Sequence, residues 1–207
     1  TYWGPFIKLM EELADFEFWN VAGLFSANDR RRMLDVEYVS ELAIAVLNGL
    51  QNKKKNIEEF YQQYETTFEE AAQLKSIFIR VLGEIEQLLP DMSKTRWRKK
   101  SDFYSLFLKL AHHVPTLPLS ADARNQASTI LLELASAVDA IVSGKPGAGA
   151  VDKDVQTYVK NVERAASDLG SRKGREQALD NKLATVLPKT ANPGVQPTPH
   201  VNFRREP

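Results

Sequence analysis

A dense run of cationic side chains surrounds a single indole between positions 94 and 100. The run consists of Lys94, Thr95, Arg96, Trp97, Arg98, Lys99 and Lys100. Five cations around one tryptophan can neutralise phosphates and stack a base, so the run predicts a nucleic-acid contact. The alternative is structural, because a lone tryptophan beside a helix start is usually a packing anchor and the cations can then cap helix ends. Both interpretations stay open at the level of sequence.

Further arginines stand where helices are predicted to begin. Three occupy positions 30–32 ahead of a helix that starts near Asp35, and Arg172 and Arg175 fall in the first turn of the last helix. Cations at a helix N-terminus oppose the helix dipole by about 0.3–1 kcal/mol each, so they need acidic partners. Internal carboxylates are one source of such partners and ligand phosphates are the other. The predicted nucleic-acid-binding residues are Lys94, Arg96, Trp97, Arg98, Lys99, Lys100, Arg172 and Arg175.

No arrangement of residues in the sequence predicts catalysis. Cysteine is absent, and the adjacent His112 and His113 have only His200 as a further histidine, which is too few for a three-histidine zinc site. The segment 143–147 resembles a phosphate-binding loop, but proline follows its lysine where serine or threonine is required. The acidic residues fit helix caps and exposed faces, and none forms an acid–base pair. We therefore predict no catalytic residue, no metal site and no cofactor.

The composition is that of an ordinary soluble globular protein. The 207 residues include 27 basic and 27 acidic side chains, and 43% are hydrophobic. The zero net charge excludes a bulk polycation, so any attraction for nucleic acid must come from a local cluster. Charges interrupt every apolar run, which predicts no membrane span and a cytoplasmic location. The start at Thr1, without methionine or a charged leader, leads us to expect a fragment of a longer protein without a signal peptide.

The hydrophobic pattern predicts an all-α fold, an irregular bundle of seven to eight helices. Apolar residues recur at helical spacing through most of residues 1–187, which we expect to form the helical domain. The range 188–207 carries five prolines and little apolar content, so a disordered tail is predicted there. The predicted core includes Leu74, Phe78, Val81, Ile85, Phe103, Phe107, Leu110, Leu131, Leu134 and Val138.

Helix ends are predicted from capping residues. Capping boxes are predicted at 56–59 and 67–70, Ser101 and Ser120 are expected to be N-caps, and Gly170 is expected to end a helix.

The order of segments resembles one family, the proteins with domain of unknown function 262, which are GmrSD-type restriction and phage-defence proteins. The similarity is to the helical half that follows their N-terminal domain. Four stretches carry it. Residues 18–19 with 30–37 form a basic-then-acidic entry into that half, and residues 57–61 are an acidic-aromatic segment ahead of the long helix after Phe68. Residues 98–107 are a basic-aromatic helix start, and residues 158–183 are a closing segment with spaced arginines.

The resemblance implies a non-catalytic helical module that positions a nucleotide-hydrolysing domain and contacts DNA or a partner subunit. The family's N-terminal Asp-Gly-Gln-Gln-Arg motif and its terminal HNH nuclease motif are not in this sequence, so no catalytic residue carries over. Full-length family proteins are expected to be nucleotide hydrolases or nucleases, whereas this chain alone is expected not to be an enzyme. The alternative is a stand-alone α-helical protein-interaction domain without a nucleic-acid role.

Overall fold

The chain folds into helices, as the periodicity predicts. The structure, a computed structural model, describes residues 3–52, 57–144, 152–163 and 165–188. Within these ranges it has ten α-helices, eight of them with seven or more residues, and no β-strand, so the all-α prediction is confirmed. The helices are α1 Pro5–Ala14, α2 Phe18–Ala22, α3 Ala27–Arg31, α4 Leu34–Asn48, α5 Ile57–Gln63, α6 Ala71–Leu88, α7 Lys100–Ala111, α8 Ala121–Val142, α9 Lys153–Glu163 and α10 Leu169–Lys182.

Helix α7 lies at the centre of the bundle. It packs against α4, α6 and α10, and every residue from Asp102 to Ala111 is buried. The stripe on α6 meets it directly, since the rings of Phe78 and Phe107 lie 4.7 Å apart between centroids. All ten predicted core residues are buried, which confirms that prediction.

The C-terminal helices dock on this centre as a pair. Gly174 of α10 faces α9 so closely that a Cβ in its place would lie 2.2 Å from the side chain of Asn161. The buried Lys109 of α7 donates hydrogen bonds to the Asp180 carboxylate at 2.8 Å and to the Leu187 carbonyl at 3.0 Å. Gly174 thus allows α9 and α10 to pack closely against each other, and Lys109 links α10 and the segment after it to the core helix α7.

Capping residues are less reliable than periodicity as guides to the helix ends. Ser120 does cap α8, accepting a hydrogen bond from the Ala123 amide at 3.2 Å. The prediction for Ser101 is wrong, because α7 already begins at Lys100. The box predicted at 67–70 is also wrong, since α6 begins at Ala71 with no side-chain cap. Gly170 ends no helix either and lies inside α10.

Two predictions fall outside the described residues. The predicted tail does so from residue 189 onward, and so does the N-cap of the box expected at 56–59. A capping box that the sequence analysis missed is present at α3, where Ser26 accepts from the Asp29 amide and donates to its carboxylate.

Candidate nucleic-acid interface and buried charge cluster

The basic run occupies the connection between α6 and α7. Two short 3-10 turns, Met92–Lys94 and Arg96–Arg98, fold it against the bundle. Thr95 joins the turns, because its hydroxyl accepts a hydrogen bond from the Trp97 amide at 3.2 Å. The loop is therefore ordered by local hydrogen bonds before any ligand is considered.

Trp97 is the packing anchor of this loop. Its side chain is fully buried, and its indole N–H donates to the Leu131 carbonyl of α8 at 3.0 Å. Its ring meets that of Tyr158 edge-on at 6.2 Å between centroids. The hydrogen bond to Leu131 and the ring contact with Tyr158 both fix the indole in the core. Trp97 would have to break both contacts and leave the core to stack on a base.

Arg96 also points inward and forms the centre of a buried charge cluster. Its guanidinium donates to Asp139 at 2.7 Å and to Asp102 at 3.1 Å, and it lies 5.9 Å from the centroid of the Tyr158 ring. The Tyr158 hydroxyl donates to the other oxygen of Asp102 at 2.8 Å. Three elements, α7, α8 and α9, thereby meet at one cation.

Burial sets the protonation behaviour of this cluster. It raises the pKa of Tyr158 well above its usual value, and the nearby charge of Asp102 adds to the increase, so the phenol remains a hydrogen-bond donor. Burial also raises the pKa of Asp102, and the charge of Arg96 opposes that increase. The charge of Arg96 therefore favours the ionised form of this buried carboxylate.

The other cations of the loop face outward or lie at its edge. Arg98 is exposed and forms no ion pair or side-chain hydrogen bond with the part of the chain that the structure describes. Lys94 is exposed beside Asp91 at 2.7 Å, and Lys99 is exposed with its ammonium 3.6 Å from Asp139. Half-buried Lys100 lies 3.2 Å from Asp29 and 5.4 Å from the centroid of the Phe25 ring.

Arg172 and Arg175 are buried within the bundle. Arg172 donates to Glu41 of α4 at 2.7 Å, and its guanidinium stacks 4.0 Å from the centroid of the Tyr104 ring. Arg175 donates to the Ser105 hydroxyl at 2.9 Å and to two backbone carbonyls. Internal partners thus hold both arginines, as one of the two sequence interpretations expects.

The eight predicted residues consequently fall into three groups. Arg96 and Trp97 are buried and anchor the loop. Three side chains face solvent, those of Lys94, Arg98 and Lys99. The third group, Lys100, Arg172 and Arg175, lines a cavity that residues of α4 also line. A nucleic-acid role stays a prediction for the whole set.

The partners in these groups were not singled out by the sequence. Glu41, Asp102, Asp139 and Tyr158 occupy ordinary positions in amphipathic helices. The burial of Glu41, Asp102 and Tyr158, and the contact of half-buried Asp139 with Arg96, appear only in the folded structure. The one local signal is an acid in the first turn of α7, which also suits a helix N-terminus.

The histidine pair has a structural setting. His113 is buried, with Nδ1 2.8 Å from the Lys109 carbonyl and Nε2 2.8 Å from that of Pro188. Burial lowers the pKa of His112, and the neighbouring His113 contributes to the decrease. Within the described ranges, no three acidic or histidine side chains are grouped as metal ligands.

Comparison with known proteins found no matching protein family, curated protein or solved structure. No helix among the described residues is long and apolar enough to cross a bilayer.

Proposed function

We propose that the chain is the non-catalytic helical module of a restriction or phage-defence type of protein, acting in the cytoplasm. Its role is to position a nucleotide-hydrolysing domain or partner subunit and to contact DNA. Hydrolysis and cleavage belong to other parts of such a protein. The proposal rests on the family resemblance of the sequence and on the basic loop, from which the DNA contact is inferred.

The observation that supports a DNA contact is the alternation of anchors and outward cations in the loop. Arg96 and Trp97 are buried, whereas Lys94, Arg98 and Lys99 are exposed on the same short segment. A backbone held by buried anchors presents its exposed cations at little further cost in conformational entropy. Phosphates bind such cations by displacing counterions, and no base needs to be stacked.

The experiment is a titration of labelled duplex DNA with the full chain and two charge-matched variants at low and high ionic strength. Arg98→Glu with Lys99→Glu removes two of the three outward cations and leaves Lys94. Lys8→Glu with Lys160→Glu makes the same change in net charge at exposed positions on α1 and α9. We expect salt-sensitive binding by the wild type and the control, and much weaker binding by the loop variant.

Equal binding by the two variants would contradict the loop as the contact. Absence of binding by the wild type at low ionic strength would contradict the DNA role and favour the second candidate, a stand-alone protein-interaction domain. That candidate has its own support in Trp3, whose side chain is 72% exposed. Large exposed aromatic side chains are typical of protein interfaces.

A further inference from the structure

The buried histidine that follows α7 contacts two carbonyl oxygens, one through each ring nitrogen. His113 is only 3% exposed. Its Nδ1 lies 2.8 Å from the carbonyl oxygen of Lys109 in α7, and its Nε2 lies 2.8 Å from that of Pro188 in the segment after α10. Lys109 strengthens the same junction, because its ammonium donates to the Leu187 carbonyl at 3.0 Å. Two side chains at the end of α7 therefore contact the carbonyls of two consecutive residues beyond α10.

The protonation state of His113 decides whether both of its contacts are hydrogen bonds. A carbonyl oxygen can only accept, and a neutral imidazole has one N–H. Only the imidazolium form has a proton on each nitrogen, so only that form donates to both carbonyls. In the neutral form, one nitrogen directs its lone pair at a carbonyl oxygen 2.8 Å away. That contact is repulsive, and a buried carbonyl without a donor is costly, so the neutral ring holds only one of the two carbonyls.

Of the two carbonyls, that of Pro188 is the one that can move away from the ring. The Lys109 carbonyl belongs to α7, which lies at the centre of the bundle. Pro188 follows the turn after α10, and this turn is closed by a hydrogen bond from the Leu187 amide to the Leu183 carbonyl at 2.7 Å. Deprotonation of the ring therefore loosens this turn and leaves α7 in place. Opening of the turn exposes the Leu187 amide to solvent.

The charged groups around the ring come first from α7 and α10. On α7, the positive charge of Lys109 opposes a further charge on the imidazole, and so does His112 when it is protonated. On α10, the Asp180 carboxylate accepts from Lys109 at 2.8 Å, and the Glu176 carboxylate lies 4.0 Å from Nδ1 of His112. The two acids offset the two neighbouring cations, so a proton on His113 does not meet an uncompensated positive charge.

Helix α6 and the end of α7 complete these surroundings. Two charged side chains of α6 bind the loop that follows His113, where Arg80 donates to a backbone carbonyl and Glu84 accepts from a backbone amide. Glu84 is also paired with Arg124 of α8 at 2.8 Å. Burial opposes a charged imidazole, whereas the C-terminus of α7 and the two carbonyl acceptors favour it. The acceptor beyond α10 is lost when the segment moves away.

We propose that His113 is a pH switch: the protonated ring docks residues 183–188 on the end of α7, and the neutral ring releases Pro188. The docked form binds one proton more than the released form, so docking strengthens as the pH falls through the range, roughly around pH 6.5, in which histidine side chains ordinarily titrate. The switch does not depend on the proposed DNA contact, because the basic loop adjoins α7 at its opposite end, Lys100.

Two NMR measurements on the full chain, at pH 5 and pH 8, test the proposal. The ¹⁵N chemical shifts of the His113 ring show whether one or both nitrogens carry a proton. Protection of the Val186 and Leu187 amides against hydrogen exchange shows whether the turn is closed, since both donate to the Leu183 carbonyl. We expect two protonated nitrogens at pH 5 and one at pH 8. Protection of the two amides should be about tenfold higher at pH 5, because one charge-assisted hydrogen bond is gained.

Two variants separate His113 from its neighbour. His113→Gln keeps one amide donor but does not titrate, so the protection of Val186 and Leu187 should be the same at pH 5 and pH 8. His112→Gln is the matched control and should keep the wild-type dependence on pH. If His113→Gln does not fold, the ring nitrogens and the amide protection of the wild type decide the question.

Three results would overturn the proposal. The first is a His113 ring with a single proton at pH 5 while both amides stay protected. The second is equal amide protection of the wild type at the two pH values. The third is a dependence on pH that persists in His113→Gln.

Discussion

Replacing Arg96 by methionine tests whether this cation stabilises the fold or is free to bind a ligand. The change leaves Asp102, which is fully buried, without its guanidinium partner. Breaking a buried ion pair from one side costs about 3–5 kcal/mol, because the remaining charge is uncompensated. The Tyr158 hydroxyl still donates to Asp102, and Asp139 is 48% exposed and easily hydrated. We therefore expect a loss of about 3 kcal/mol in the free energy of unfolding, at the lower end of that range.

The matched control is Arg98→Met, two positions along the same loop. Arg98 is exposed, and a surface substitution of this kind changes the free energy of unfolding by about 0.5 kcal/mol or less. Urea unfolding followed by circular dichroism measures both variants. Adding Asp102→Asn to Arg96→Met should recover part of the loss, because asparagine is neutral and still accepts from Tyr158. Equal stability of the two single variants would refute the buried-cluster account of Arg96.

Two other substitutions test the caps and the core. Hydrogen bonds from Ser26, together with the charge of Lys100, lower the pKa of Asp29 from 3.8 to about 2. The ionised Asp29 carboxylate therefore stabilises the fold fully above pH 3.8, and this stabilisation is lost as the pH falls through about 2. Asp29→Asn should lower the free energy of unfolding by about 1 kcal/mol near neutral pH. In strong acid the variant and the wild type should become equally stable. A difference independent of pH in acid-titrated urea unfolding would contradict this reasoning. Phe107→Ala should cost about 3–5 kcal/mol, against a small effect for the exposed Ile79→Ala, in the same urea assay. Similar costs for these two variants would show that Phe107 is not a core residue.

Helix positions and core residues could be predicted because their signal is local. The spacing of Leu74, Phe78, Val81 and Ile85 defines one face of a helix whatever lies opposite, and all four are buried. Helix starts were harder to predict. Ser101 has the chemistry of an N-cap, but the preceding loop, held by its buried anchors, starts α7 at Lys100 with Lys99 in the N-cap position, two positions before the predicted cap. Tertiary packing here overrides a local preference.

The direction of the loop side chains could not be predicted, because it depends on distant partners. Trp97 bonds a carbonyl 34 positions away and Arg96 a carboxylate 43 positions away. No pattern within the run distinguishes buried Arg96 from exposed Arg98. The pairing between Glu41 and Arg172 spans 131 positions, so the sequence marks Arg172 as a candidate but does not indicate its partner.

The most direct test of the DNA contact is the slope of log affinity against log salt concentration for duplex binding. Of the five cations in the loop, three are exposed, Lys94, Arg98 and Lys99, since Arg96 is buried and half-buried Lys100 is paired with Asp29. Each phosphate contact contributes about −0.9 to the slope, so three contacts predict a value of about −2.7 for the wild type. Arg98→Glu with Lys99→Glu should bring the slope to about −1 or closer to zero, while Lys8→Glu with Lys160→Glu leaves it unchanged. The same slope for the wild type and the loop variant would contradict the account.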